Sequence, residues 1–265
     1  RIHYYRTGGL KPPIVFIHGL SDSGLCWSRV AIELEPDYDT VMVDLRGHGL
    51  SGSGDGTPMI NASMQDIAEV IKALELGKAI LVGHSIGAII AAQFVNSYPD
   101  LVAGVILEDP PLASSLNMDE NSPHEKIIAR WRSDYDLWKS MSFEQLFSLV
   151  REKHPEWEYD DHFQWAKAKQ QLRQQFLEYI QTRPITWDLI AGAHDTPTLI
   201  LAGAQDKGGL VSIEAIDRIK RNWKSARVFE ISDAGHNIRR EVPMLYLEVL
   251  RDFIKKLPMK AGRFR

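Results

Sequence analysis

The chain has 265 residues, 44% apolar and 25% charged, with a formal net charge of −4. That length buries enough surface to need no disulfide or metal staple, and the mildly acidic balance excludes the basic footprint of a nucleic-acid or anionic-membrane binder. No run approaches the roughly 18 consecutive apolar residues of a membrane span, and the single cysteine, Cys26, permits no internal disulfide, so a reducing, cytoplasmic setting is expected.

Ile14-Val15-Phe16-Ile17 lies between Pro12-Pro13 and His18-Gly19 and reads as a short buried strand. Thr40 to Asp44 reads as a second. Ile67, Val70, Ile71 and Leu74 recur at i, i+3, i+4 and i+7, which predicts a helix. Ser63 is placed to cap its start and Gly77 to turn the chain out at its end. Ala79 to Val82 predicts a third strand, Ile86 to Ser97 a helix of small residues stopped before Pro99, and Val102 to Leu107 a fourth strand. The alternation returns later. Pro197 to Ala202 and Ala226 to Ile231 read as strands, Ser212 to Arg221 and Pro243 to Lys256 as helices. Near-continuous apolar strands alternating with helices predict an α/β fold with a mostly parallel sheet covered on both faces.

Residues 111–190 break this pattern. They read as helical, contain no clear strand, and hold five of the seven tryptophans, Trp131, Trp138, Trp157, Trp165 and Trp187. The expected organisation is a core of residues 1–110 and 191–265 with a helical cap inserted over 111–190. The tryptophans are expected mainly to form the cap's own core, with one or two facing a substrate pocket. The cap also carries Arg130, Arg132, Lys139, Arg151, Lys153, Lys167, Lys169 and Arg173. Most are expected on solvated helix faces, and one is a candidate to meet a substrate carboxylate.

Gly83-His84-Ser85-Ile86-Gly87 fits G-x-S-x-G between a predicted strand and a predicted helix, the context that motif requires. The turn must lift the serine hydroxyl above the sheet, with glycines where backbone passes close to backbone. The helix that follows points its N-terminal N–H groups at a developing anion. A serine hydroxyl needs a base, and the base needs a group to hold its tautomer. His236, in the loop after the last predicted strand, is the expected base. Asp206, just past the strand ending near Ala202, is the preferred acid. Asp109 is its rival, at the end of the strand before the cap, and Asp233 is a weaker candidate because it lies so near His236. The N–H groups of Ile86 and Leu20 are the expected oxyanion donors.

The segments His18-Gly19, Asp44-Leu45-Arg46-Gly47-His48-Gly49-Leu50-Ser51-Gly52, Gly83-His84-Ser85-Ile86-Gly87, Gly203-Ala204-Gln205-Asp206 and Ala234-Gly235-His236 together resemble the α/β-hydrolase superfamily, of the capped esterase, lactonase and C–C hydrolase kind. The resemblance implies an eight-stranded, mostly parallel sheet, a lid inserted after the sixth strand, and the triad and oxyanion hole just named. One departure is the acid loop, Asp206-Lys207-Gly208-Gly209-Leu210-Val211, which lacks the proline often found a few residues on. Dehalogenases and epoxide hydrolases resemble the chain too, but carry an aspartate where Ser85 stands.

Gly47 to Gly52 also matches G-x-G-x-x-G. The Gly- and Pro-containing run behind it opens no helix, so no dinucleotide site is expected. No spaced metal-ligand set occurs either, and His154 and His162 read as surface residues. The sequon Asn61-Ala62-Ser63 carries little weight without a secretory context. The expected function is hydrolysis of a partly apolar small-molecule ester, lactone or related acyl compound, with no cofactor. C–C or enol-lactone hydrolysis, cofactor-free haloperoxidase or perhydrolase chemistry, hydroxynitrile lysis and a receptor role on the same fold are the alternatives.

Overall fold

Apolar runs without a polar face form strands with no solvent side, and these make up the centre of the sheet. The computed structural model describes residues 1–53, 59–111, 124–179 and 195–258. Within them, β1 (Tyr4–Arg6), β2 (Pro13–Ile17), β3 (Asp39–Val43), β4 (Ala79–His84), β5 (Val102–Glu108), β6 (Thr198–Gly203) and β7 (Ala226–Ile231) form one seven-stranded sheet. The order is β1-β3-β2-β4-β5-β6-β7, and every pairing is parallel except that of β1 with β3. Strands β2, β3, β4 and β6 are buried along their whole length, whereas the edge strands β1 and β7 alternate with solvent. The described sheet is one strand short of the eight that the resemblance implies.

Successive side chains of a strand point to opposite faces, and the core divides accordingly. Val15 and Ile17 of β2 pack with α2 (Met59–Ala73), α3 (Ile86–Ser97) and α7 (Ile213–Asn222), while Ile14 and Phe16 pack with α1 (Ser28–Leu34), α8 (Ile238–Glu241) and α9 (Pro243–Lys255). Helix α3 is apolar nearly all round, as suits a helix with no solvent stripe. Ser212 caps α7 by accepting from the Ala215 N–H. The cap expected from Ser63 is not there. The helix begins four residues earlier at Met59, and the buried Ser63 hydroxyl instead lies 2.7 Å from the Tyr179 hydroxyl. Gly77 does turn the chain out, at φ +66°.

Helices α4 (His124–Ser140), α5 (Phe143–Lys153) and α6 (Tyr159–Gln171) lie between β5 and β6, so in the described sheet the insertion follows the fifth strand. A capping box at Ser142 and Gln145 starts α5. Helix α6 is tied down to the core by polar contacts. The Ser28 hydroxyl donates to Asp160, Arg29 pairs with Asp161 at 2.6 Å, and Lys169 donates to Ser21.

Between β2 and β4 the chain reverses its direction of winding, because β3 lies to one side of β2 and β4 to the other. Open α/β sheets bind ligands in the crevice at such a switch point, beyond the carboxyl ends of the strands. Ile17 pairs with Gly83 in register there, so the segments His18-Gly19-Leu20 and His84-Ser85 leave the sheet side by side.

Candidate active site

Ser85 stands between β4 and α3 at φ 54° and ψ −121°, a conformation that L-residues other than glycine rarely adopt. Its N–H donates to the Glu108 carbonyl and its own carbonyl accepts from Ala88, so the strained turn is held at both ends. The flanking glycines are required by contact. A Cβ on Gly83 would lie 2.3 Å from the Gly87 carbonyl oxygen, and one on Gly87 would lie 2.3 Å from that of Ile17.

His236 follows β7 in a loop fastened from several sides. Glu241 accepts from the N–H groups of Gly235 and Asn237, and the His236 carbonyl accepts from His84 Nε2 at 2.9 Å. Nδ1 of His236 lies 2.6 Å from Oδ2 of Asp109. A carboxylate there keeps the proton on Nδ1 and leaves the Nε2 lone pair for a substrate or nucleophile. Asp109 is fully buried, and also accepts from the Leu210 N–H at 2.9 Å and the Gly203 N–H at 3.3 Å.

The expected acid, Asp206, is therefore not the residue on the histidine. It is exposed in a single 3-10 turn, Gln205–Lys207, that ends at Gly208 with φ +94°. The chain folds back there, with the Gly209 N–H donating to the Ala204 carbonyl, and the side of the loop facing the ring is occupied by backbone that itself donates to Asp109. Strands β5 and β6 are neighbours, so the carboxylate on the ring comes from one strand earlier than expected. Asp233 is exposed as well, 3.8 Å from Lys207.

Leu20 lies in the loop after β2 and Ile86 at the start of α3. Ile86 opens α3, where an N–H has no intrahelical acceptor, and among the described residues neither the Leu20 nor the Ile86 N–H donates to a protein acceptor. The Leu20 loop rests on two buried histidines. His18 donates from Nδ1 to the Gly19 carbonyl and accepts at Nε2 from the Leu45 N–H. His48 donates from Nδ1 to the Arg46 carbonyl and accepts at Nε2 from the Ser21 N–H. Burial holds both rings below the ordinary histidine range, which suits neutral imidazoles that each donate once and accept once. The Gly47 to Gly52 segment thus braces the Leu20 loop. Its anchor is Asp44, whose carboxylate accepts from the Gly24 and Leu50 N–H groups, with Gly49 passing so close that any Cβ would strike it.

Five buried ionisable residues beside the site, Asp22, His84, Glu108, Arg239 and Arg240, were given no role from the sequence. Arg239 places its main-chain N–H on Glu108 Oε1 and its guanidinium on Oε2, which ties α8, just after His236, to the end of β5, just before Asp109. Asp22 takes the guanidinium groups of both Arg239 and Arg240. Burial opposes the Asp22 carboxylate, but Arg240, Lys169 and Arg239 outweigh it and hold the group at about 2. His84 is buried beside His236, with ring centroids 4.6 Å apart, and burial keeps it well below the ordinary range. Nothing in the sequence marked these residues, because their roles depend on neighbours about 130 to 220 positions away.

Ser85 and His236 line one cavity of about 630 Å³. Trp131 and Trp138 of α4, Trp165 of α6 and Trp157 in the turn before α6 line it too, more than the one or two expected. Trp187 lies outside the described residues. His162 is buried rather than on the surface, and Lys169 is 3% exposed rather than solvated.

The model of the alpha/beta hydrolase family matches residues 14–249. The 2-(acetamidomethylene)succinate hydrolase of Mesorhizobium japonicum is 28% identical over 260 residues, covering 94% of this chain and 90% of its own. A thermophilic esterase from Thermogutta terrifontis, with malate bound, superposes with a TM-score of 0.72 at 25% identity, over 96% of this chain and 93% of the esterase. An epoxide hydrolase from Bacillus megaterium superposes with a TM-score of 0.78 at 23% identity, over 96% and 97%, a likeness of fold alone.

Proposed function

Because the chain belongs to the alpha/beta hydrolase family, we propose that it is a serine hydrolase that opens the acyl bond of a small ester or amide through an acyl-Ser85 intermediate. The observation that carries this reading is the strained Ser85 turn in one cavity with a histidine whose far nitrogen is held at 2.6 Å by a buried aspartate.

His236 Nε2 takes the Ser85 proton as Oγ adds to the substrate carbonyl carbon. The carbonyl π pair moves onto oxygen, and the Leu20 and Ile86 N–H groups stabilise that oxyanion. The tetrahedral adduct collapses, the bond to the alcohol or amine breaks, and His236 returns its proton to the leaving group. A water then repeats the sequence on the acyl-enzyme and releases the carboxylic acid and free Ser85. Asp109 orients the ring and stabilises the imidazolium without taking its proton. Helices α4 and α6, with Trp157 in the turn before α6, act as the lid that walls the cavity with tryptophan.

The relative that hydrolyses 2-(acetamidomethylene)succinate supports an amide-type acyl bond beside the ester, and the malate-bound esterase supports the ester. An epoxide is disfavoured by Ser85, since the resembling epoxide hydrolases carry an aspartate there. The test is hydrolysis of p-nitrophenyl acetate and butyrate by wild type and Ser85→Ala. Wild type is expected to release nitrophenolate and the variant to lose at least about 10³-fold in kcat. Near-normal turnover by the variant would refute the reading.

A further inference from the structure

We propose that Lys169 and Arg240 form a receptor for a free carboxylate on the substrate, so that the site takes compact acyl compounds bearing a second, anionic carboxyl group. The substrate class rests on the acyl-hydrolase reading above, while the receptor itself stands on its own geometry.

Lys169 is 3% exposed and lines the cavity that holds Ser85. Its ammonium donates to the Ser21 carbonyl at 2.7 Å and the Ser21 hydroxyl at 2.9 Å, and it lies over the faces of Trp138 and Trp165, 4.8 and 4.5 Å from their centroids. An ammonium has three donors, so one remains. A buried cation ordinarily has a counter-ion. Lys169 has no carboxylate within ion-pair distance among the described residues, because the nearby Asp22 already serves Arg239 and Arg240.

Arg240 supplies the second prong. It is 2% exposed and lines the same cavity, and its Nε–H is buried with no hydrogen-bond acceptor among the described residues. The closest acid to that atom, Asp161, is 3.6 Å away, beyond good hydrogen-bond range, and is itself held at 2.6 Å by Arg29. Two buried cations thus line the catalytic cavity, each with a donor left over. Charged residues of the cavity wall sum the same way. Arg130, Lys169 and Arg240 face Asp22 and Asp134. A substrate carboxylate would complete both sets of hydrogen bonds and supply the missing negative charge, in a site whose remaining wall is largely apolar.

Lys169 also latches Ser21, next to the Leu20 donor, so a structural role must be separable from recognition. The experiment compares mono-4-nitrophenyl glutarate with its methyl ester, 4-nitrophenyl methyl glutarate, on wild type, Lys169→Met and Lys169→Arg. Wild type is expected to favour the charged ester by roughly 10- to 100-fold in kcat/KM. In Lys169→Met the ratio should collapse toward one, mainly through KM, and Lys169→Arg should restore part of it. A latch without recognition would lower kcat on both esters together and leave the ratio unchanged, which overturns the proposal. So does equal use of both esters by wild type, a result that needs no variant to fold. A second arm titrates disodium glutarate and dimethyl glutarate into wild type and Lys169→Met by calorimetry. Lys169-dependent binding of glutarate alone supports the receptor even if neither ester is turned over, in which case the acyl-hydrolase reading is what fails.

Discussion

Replacing Asp109 by Asn separates the two candidate acids. In the native site Oδ2 of Asp109 takes the Nδ1–H of His236 at 2.6 Å and the Leu210 N–H at 2.9 Å, while Oδ1 faces the Gly203 N–H. All three neighbours are donors. An Asn side chain has one acceptor and one donor group, so its NH2 must confront a donor or turn the histidine into the other tautomer. Flipping the tautomer places the proton on Nε2, where the base needs its lone pair. In other Ser-His-Asp sites that change lowers kcat about 10⁴-fold, equivalent to about 5 kcal/mol of barrier. The unmatched buried donor adds a folding cost of about 1–3 kcal/mol, so the variant should stay folded while inactive. Asp206→Asn alters an exposed side chain outside these contacts and should change kcat by less than about 2-fold, since surface substitutions away from such features are nearly neutral. The assay is p-nitrophenyl ester turnover, with circular dichroism and thermal unfolding run on each variant. A folded Asp109→Asn enzyme with near-wild-type kcat, or a collapse in Asp206→Asn, would refute the placement of the acid.

Gly87→Ala should be costly even though it leaves every functional group in place. Its Cβ would meet the Ile17 carbonyl oxygen at 2.3 Å, and backbone cannot yield as a flexible side chain does, so about 3 kcal/mol of stability and roughly 6–12 °C in Tm should be lost; an unchanged melting curve would contradict that packing. Affinity for glutarate should fall as pH rises through about 8, where burial places the Lys169 ammonium against its ordinary 10.5. The groups that face it from the packed elements are Asp22, Arg240, Cys26 and Asp134. The charged form binds the anion, so affinity is full below about 8 and declines about tenfold per pH unit above it. The unliganded fold gains stability over the window between 8 and 10.5, where the unfolded chain still holds the proton. A calorimetric titration series from pH 6.5 to 9.5 that shows flat affinity would count against Lys169 as the binding cation.

Much of this protein is legible in one dimension because the rules concerned are local. Apolar runs such as Ile14 to Ile17 and Ala79 to Val82 are strands wherever they are buried, and their alternation with helices predicts a parallel sheet. The Gly83 to Gly87 turn is equally local. Its glycines, serine and helix start lie within five residues, so spacing alone places both the Ser85 turn and the Ile86 N–H at the start of α3. His236 follows from its place just past a strand end. Ser63 suits a cap, yet α2 begins at Met59 and the Ser63 hydroxyl is taken up by Tyr179, 116 residues away.

The acid could not be settled in the same way. Asp109 and Asp206 both follow strands and both precede His236, and no local rule ranks them. The choice is made by how the loop after β6 folds back, which sends the Asp206 side chain to solvent and turns the Leu210 N–H onto Asp109. Lys169 is a similar case. On a helix rich in charge it reads as a solvated face, and only the docking of α6 against the Ser21 loop buries it. Residue types and spacings determine strands, helices and tight turns, because those depend on neighbours in the chain. Which carboxylate meets the histidine, and which cation is left without a partner, depend on segments far apart in sequence, and are decided only when the sheet and its insertion pack together.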